Sequence, residues 1–143
     1  MALSPQQYEI IASRRVSTDA LLWQSPFLSL TAQSFLFTIA LGPGTSGAAR
    51  WVAAFLAFIA SLACMQLMSK NRHFEKADSI LLEDYGKAHD LELVHARRPK
   101  SEAWYHMSSY RVWICTLAVF ALAAVVVMLG VELGWGWLAV TAG

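Results

Sequence analysis

The sequence predicts an all-α integral membrane protein with three transmembrane helices, at about residues 20–41, 51–68 and 112–130. Three observations predict this fold. Of the 143 residues, 57% are hydrophobic and only 15% are charged, whereas a soluble domain carries about a quarter charged residues. The apolar residues are gathered into three blocks that contain no Lys, Arg, Asp, Glu or His. Tryptophans lie at the ends of these blocks, at Trp23, Trp51, Trp113, Trp135 and Trp137.

Each apolar block is long enough to cross a bilayer. As helices rising about 1.5 Å per residue, the blocks span roughly 27 to 33 Å, which matches a hydrocarbon core of about 30 Å. Indole rings favour the membrane–water boundary, and chance poorly explains five of them at block ends. The lipid bilayer is therefore the first partner that the sequence predicts.

The chain divides into four segments on this interpretation. Residues 1–19 form an N-terminal cytoplasmic amphipathic helix, and residues 20–68 form a transmembrane hairpin. Residues 69–111 form a cytoplasmic helical segment that extends from the second span. Residues 112–143 form the third transmembrane helix and an external tail.

Arg14 and Arg15 precede the first block and admit two interpretations, an export signal or a charge that keeps this end in the cytoplasm. The apolar region of a signal peptide has about 7 to 15 residues and ends at a small-residue cleavage site. The block at 20–41 is longer and contains Pro26. We therefore interpret the arginine pair as retention charges.

The distribution of basic residues predicts the topology, because cytoplasmic loops carry the excess of Lys and Arg. The loop between the first two blocks has only Arg50, and none follows the third block. We expect a multi-pass protein of the inner (plasma) membrane with a cytoplasmic N-terminus and an external C-terminus. Eight of the 11 basic residues lie between the second and third blocks: Lys70, Arg72, Lys76, Lys87, Arg97, Arg98, Lys100 and Arg111.

Polar side chains occupy two opposite faces of the first block. One face repeats every seven residues: Gln24, Thr31 and Thr38, with Ser34 beside them. The other repeats every four residues: Ser25, Ser29 and Gln33. Such groups are costly against lipid and are expected to find partners across helices. We expect protein around this helix, and the first face lines either a pore or an interhelical hydrogen-bond seam, of which the seam is the simpler interpretation.

The second block carries a narrow stripe of small side chains: Ala53, Ala57, Ala60 and Cys64. Small residues at this spacing let two helix backbones approach closely. The sequence leaves open whether the partner is the first helix of the same hairpin or a second copy of the chain. The third block is the most uniformly apolar, and we expect it to face lipid.

The segment after the second block has heptad-like apolar spacing. Its members are Phe74, Ala77, Leu81, Ala88 and Leu91. The pattern favours either a coiled bundle that assembles several copies or a solvated helix with one apolar face.

The sequence offers little chemistry. Glu92 and His95 form an E-x-x-H unit, but carboxylate-bridged di-iron bundles use two such units and this chain has one. We therefore predict no metal, no cofactor and no catalytic residue, and we do not expect an enzyme. The net charge of +1 also argues against nucleic acid as a partner, since nucleic-acid binders show a concentrated basic face.

The stretches "IASRRVSTDALLWQ" and "SKNRHFEKADSILLEDY" resemble small bacterial membrane proteins of the RipA-like and SLATT-like kinds. The resemblance covers about the first ninety residues and is mostly architectural. It implies a homo-oligomeric inner-membrane protein, and SLATT-like members are proposed as membrane-perturbing effectors. A third span departs from that pattern, and no catalytic residue transfers.

Two functions follow as expectations. One is a small homo-oligomeric inner-membrane protein that forms a pore or acts as a membrane effector. The alternative is an accessory or assembly subunit, which docks its polar first helix against another membrane protein.

Overall fold

The computed structural model of the protein describes residues 4–89 and 108–135. These ranges contain three α-helices and no strand: α1 (Pro5–Leu41), α2 (Gly47–Ala88) and α3 (Ser109–Glu132). For the described residues, the predicted all-α class is confirmed. Helix α2 lies in the middle, packed against α1 along most of its length and against α3 along its apolar half.

Helices α1 and α2 form a long antiparallel hairpin, and each helix begins at a serine cap. Ser4 and Gln7 form a capping box at the start of α1, in which each side chain accepts a hydrogen bond from the other residue's backbone N–H. The Ser46 hydroxyl accepts from the Ala49 N–H at the start of α2. In the turn between them Gly44 has φ +76°, a conformation that glycine adopts without steric cost.

Two of the described helices, α2 and α3, are long and apolar enough to cross a membrane by length and composition. Helix α1 is not, so two of the three predicted spans, the second and the third, remain candidate spans by this criterion. The reason is composition, because Gln24, Gln33, Pro26 and several hydroxyl side chains interrupt the block at 20–41. The segments predicted as 1–19 and 20–41 form one continuous helix.

The apolar stretches of α2 and α3 are mostly exposed within the part of the chain that the structure describes. Only 33% of the most apolar stretch of α2 is buried, and only 28% of that of α3. A core helix of a soluble protein is largely buried, whereas a membrane helix exposes its apolar side chains to lipid. The exposed apolar surface of α2 and α3 is of the kind that marks interaction with a membrane or with another protein.

Two small clusters of buried apolar residues hold the three helices together. Near the turn, Ala40 of α1 packs with Ala53 and Ala54 of α2 and with Val127 of α3. Nearer the opposite end of the apolar region, Cys64 and Met68 of α2 pack with Leu117 of α3. Alanine at the α1–α2 contact lets the two backbones approach closely.

Arg50 is buried at the turn, with 4% of its surface exposed. Its Nε donates to the Thr45 carbonyl and its Nη2 to the Gly42 carbonyl, each at 3.0 Å. The guanidinium thus bonds one carbonyl at the C-cap of α1, that of Gly42, and one in the turn, that of Thr45. Arg50 was predicted to lie in the loop between the first two blocks, but it lies in the first turn of α2.

Candidate functional site: the outer face of the first helix

The polar stripe that was predicted from the seven-residue repeat lies on the side of α1 that faces away from α2. Its four members are all exposed: Gln24, Thr31, Ser34 and Thr38. Large apolar side chains surround the stripe, and Phe27, Leu28 and Phe35 are each about two-thirds exposed. We call this surface, Gln24 to Thr38 with its apolar flanks, the outer face of α1. Neither α2 nor α3 of the same chain covers it.

The hydroxyl groups of the outer face bond to their own helix. Thr31, Ser34 and Thr38 donate to the carbonyls four residues earlier, at 3.0, 2.9 and 2.7 Å. These bonds satisfy the hydroxyl protons and leave oxygen lone pairs directed outwards. Among residues 4–89 and 108–135 the stripe therefore forms no interhelical seam, and its oxygens can accept hydrogen bonds from water or from another protein.

The interhelical seam instead uses the opposite polar face of α1. The Gln33 side chain is fully buried (0% exposed). Its Nε2 donates to the Ser61 Oγ of α2 at 2.8 Å and to the Ser29 Oγ at 3.4 Å. Ser61 in turn donates to the Ala57 carbonyl at 2.9 Å. This short chain of hydrogen bonds fixes the register of α1 on α2.

The Gln33 amide is only half satisfied among the residues that the structure describes. Its Oε1 is buried and has no hydrogen-bond partner there. Rotating the amide by 180° would exchange the two ends, and one amide end would still lack a partner. A buried polar atom without a partner costs free energy.

Replacing Gln33 with Leu should therefore stabilise the isolated chain by about 1 kcal/mol. The gain is the removal of an unpaired buried oxygen, about 1–3 kcal/mol, less the lost bond to Ser61, about 0.6 kcal/mol in a membrane setting. Thermal unfolding in detergent measures the change, with Gln66→Leu on the exposed side of α2 as the control. A loss of stability would show that the amide has a further partner in the assembled protein.

The close-packing stripe of α2 faces the other helices of the same chain. Ala53, Ala57 and Cys64 are buried, and Ala60 is half-buried. Ala53 lies against Ala40 of α1, and Cys64 lies against α3. The chain's own helices thus occupy this surface, which leaves little of it for a second copy.

An ion pair joins the ends of the hairpin that we expect in the cytoplasm. Arg14 of α1 donates two hydrogen bonds to the Asp78 carboxylate of α2, from Nε to Oδ2 at 2.9 Å and from Nη2 to Oδ1. The Asp78 side chain is 3% exposed and that of Arg14 is 60% exposed. The bonds to Asp78 and its charge raise the pKa of Arg14. Beyond them, Tyr8 stacks on Tyr85 with ring centroids 4.7 Å apart.

The heptad-like face of α2 points away from α1. Phe74 is 49% exposed and Leu81 is 43% exposed, and Ala77 and Ala88 are exposed beside them. The face that packs on α1 carries Asp78, Ser79, Leu82 and Gly86 instead. This exposed strip is a second uncovered surface, and Leu91, its fifth predicted member, lies outside the described residues.

Within residues 4–89 and 108–135, no group of three or more His, Cys, Asp or Glu side chains is placed to hold a metal ion. Glu92 and His95 lie outside these residues. Comparisons of the chain with protein families, with curated proteins and with solved structures found no match. The resemblance to RipA-like and SLATT-like proteins therefore stays a prediction, and the functional argument depends on the geometry of the chain itself.

Proposed function

We propose that this protein is a small homo-oligomeric protein of the bacterial inner membrane, in which several copies meet through the outer face of α1. One observation carries the proposal. The outer face combines exposed polar and large apolar side chains, and the chain's own α2 and α3 leave it uncovered. Polar groups of this kind are costly against lipid, so a protein or aqueous neighbour is favoured.

In this proposal α1 crosses the membrane together with α2. The two helices run side by side from the Arg14–Asp78 pair at one end to the contact of Ala40 with Ala53 at the other. If α2 crosses the membrane, α1 therefore crosses the same thickness of bilayer beside it. Gln33 lowers the mean hydropathy of α1, yet Ser61 shields it from lipid, so composition overstates the cost of inserting this helix.

The orientation we propose has both termini of the α1–α2 hairpin in the cytoplasm and the end of α3 outside. The basic residues between the second and third apolar blocks support it. The bonds of Arg50 to the turn carbonyls support it too, because they account for the single basic residue on the opposite side.

The proposed activity is a water-lined path, or a disturbance of the membrane, along the assembled outer faces. Outward-directed oxygens of Thr31, Ser34 and Thr38 and the Gln24 amide would line such a path. The apolar flanks, Phe27 and Phe35 among them, would form the contacts between neighbouring copies. The exposed heptad-like strip of α2 offers a second contact outside the membrane.

Replacing Thr31 with Leu should reduce conductance through a bilayer while leaving assembly intact, since a branched apolar side chain narrows and dewets an aqueous path. Planar-bilayer recording and native mass spectrometry measure the two effects. Thr116→Leu on α3 is the matched control, because Thr116 makes the same bond to a carbonyl four residues earlier, at 3.0 Å. Loss of assembly in Thr31→Leu would show that the stripe joins helices and lines no path.

The alternative function uses the same surface with a different neighbour. An accessory subunit would dock the outer face of α1 against another membrane protein, and its gene would stand beside that of its transporter or enzyme. An effector gene would stand beside that of a sensor or a nucleotide-making enzyme. A chain that stays monomeric when expressed alone would favour the accessory subunit.

A further inference from the structure

A cavity of about 260 Å³ opens where all three helices come together at the end that we expect in the cytoplasm. It is lined by Asp19, Leu22 and Trp23 of α1, by Met68 and Arg72 of α2, and by Ser108, Ser109, Tyr110 and Trp113 at the start of α3. The buried side chains of Leu22 and Met68 give it apolar walls. Its other walls are charged, hydroxylated or aromatic.

The cavity coincides with the boundary between charged and apolar sequence in every helix. The first apolar block begins directly after Asp19, the second ends at Met68 and the third begins directly after Arg111. Trp23 and Trp113 lie at this level, where indole rings favour the membrane–water boundary. If the helices span a membrane as proposed, the cavity lies at the depth of the phospholipid headgroups.

The polar lining carries both signs of charge. Arg72 pairs through Nη1 with Glu75 on the same helix, and a guanidinium keeps further donors beyond that one bond. Asp19 lies in the same lining, and among the described residues it forms no ion pair with Arg72 or with any other cation. Asp19 therefore has no cation paired with it in this lining, and Arg72 keeps guanidinium donors beyond its bond to Glu75.

The start of α3 adds a second group that suits an anion. The Ser108 hydroxyl makes no capping bond to the helix, so it does not satisfy the N–H groups of the first turn. The Arg111 N–H already donates to the Ser108 carbonyl at 2.7 Å, so the N–H groups that remain at the helix start are those of Ser109 and Tyr110. Together with the positive end of the helix dipole they favour a phosphate oxygen. The Tyr110 hydroxyl, 2.8 Å from the Ser69 hydroxyl, is a further hydrogen-bonding group on this wall.

We propose that this cavity binds a phosphoethanolamine headgroup, supplied by a phospholipid of the surrounding leaflet. The phosphate lies between Arg72 and the start of α3, and the ammonium group donates to the Asp19 carboxylate beside Trp23. A zwitterion satisfies both charges of the lining, whereas an anionic headgroup would leave Asp19 facing a phosphate without a cation. A primary ammonium group also donates hydrogen bonds to a carboxylate, which a quaternary one does not.

The proposal rests on the membrane location proposed above. The test is native mass spectrometry of the full-length protein in mild detergent with equal amounts of phosphatidylethanolamine and phosphatidylglycerol. We expect about tenfold more bound phosphatidylethanolamine, the factor that one charge-assisted hydrogen bond supplies. Equal binding, or a preference for phosphatidylglycerol, overturns the proposal. Equal competition by soluble glycerophosphoethanolamine also overturns it, since the site would then take a metabolite.

Variants assign the two charges separately. Asp19→Asn should bring the ratio of the two lipids close to one, and Arg72→Gln should weaken the binding of both, with recovery in Arg72→Lys. Asp84→Asn and Lys76→Gln, exposed residues outside the cavity lining, are the matched controls and should keep the wild-type ratio. An unchanged ratio in Asp19→Asn overturns the assignment. If the protein is an oligomer without lipid preference, the lipid site is contradicted and the proposed function is not. If the protein is a monomer that selects phosphatidylethanolamine, the lipid site is supported and self-assembly is contradicted.

Discussion

Ala57→Leu should destabilise the protein by about 1 to 3 kcal/mol or more, the usual range for overpacking a well-packed interior. Ala57 is 1% exposed and its carbonyl accepts the Ser61 hydroxyl, which in turn accepts from Gln33 of α1. Three added carbon atoms have no room at this contact. They would push α1 away from α2 and break the hydrogen bonds of Gln33.

The control for this variant is Ala63→Leu, the same substitution at an exposed position of the same apolar stretch. It adds equal hydrophobicity to α2 without touching α1, so we expect little change in stability. Thermal unfolding in detergent, followed by circular dichroism, compares the two variants. Equal effects would mean that the small residues of α2 do not set the distance between the helices.

Arg14→Met should cost more stability than Asp78→Asn, although both remove the same ion pair. Loss of Arg14 leaves a buried carboxylate uncompensated, and breaking a fully buried pair costs about 3–5 kcal/mol. The 60% exposure of the Arg14 side chain lets water reach the site, so we expect about 1–2 kcal/mol here. Loss of the Asp78 charge leaves only an arginine that water already solvates.

The double variant, Arg14→Met with Asp78→Asn, should be more stable than Arg14→Met alone, because no buried charge remains without a partner. Lys76→Ala, which removes an exposed cation from the same part of α2, should change stability little. Unfolding in detergent measures all four variants. Additive effects of the two single changes, or a larger loss from Asp78→Asn, would contradict the role assigned to this pair.

The sequence predicted the elements that depend on local composition. The uninterrupted apolar runs at 51–68 and 112–130 lie in the two helices that are apolar enough to span a membrane. The block at 20–41 became helix as expected, but glutamine and hydroxyl side chains lowered its hydropathy. A mean hydropathy weighs every polar residue of α1 alike, both Gln33, which packs against Ser61, and Gln24, which is exposed.

The two polar faces of α1 were visible in the spacing, but spacing alone does not say which face a neighbouring helix covers. The structure turns Gln33 towards Ser61 and leaves Gln24 and Thr31 outside. That choice depends on the matching position in α2, 28 residues away in sequence. Periodicity identifies the faces of a helix, whereas their partners are set by packing.

The charge pair and the cavity were beyond prediction for the same reason. Arg14 and Asp78 are 64 residues apart, and each taken alone has the appearance of a surface charge. The lining of the cavity comes from three separate stretches of the chain, around Asp19, Arg72 and Ser109. The sequence alone showed only that charged residues give way to apolar ones at the level of the cavity, with Trp23 and Trp113 close to that boundary.

We propose that copies of this chain assemble through the outer face of α1, which α2 and α3 leave uncovered. Native mass spectrometry of the protein, expressed alone and extracted in mild detergent, tests it most directly. We expect a single discrete oligomer, which a bulky charged substitution on the outer face, Thr31→Arg, should disperse. A stable monomer, or a ladder of unrelated masses, would contradict self-assembly and make the outer face of α1 the docking surface for a different membrane protein.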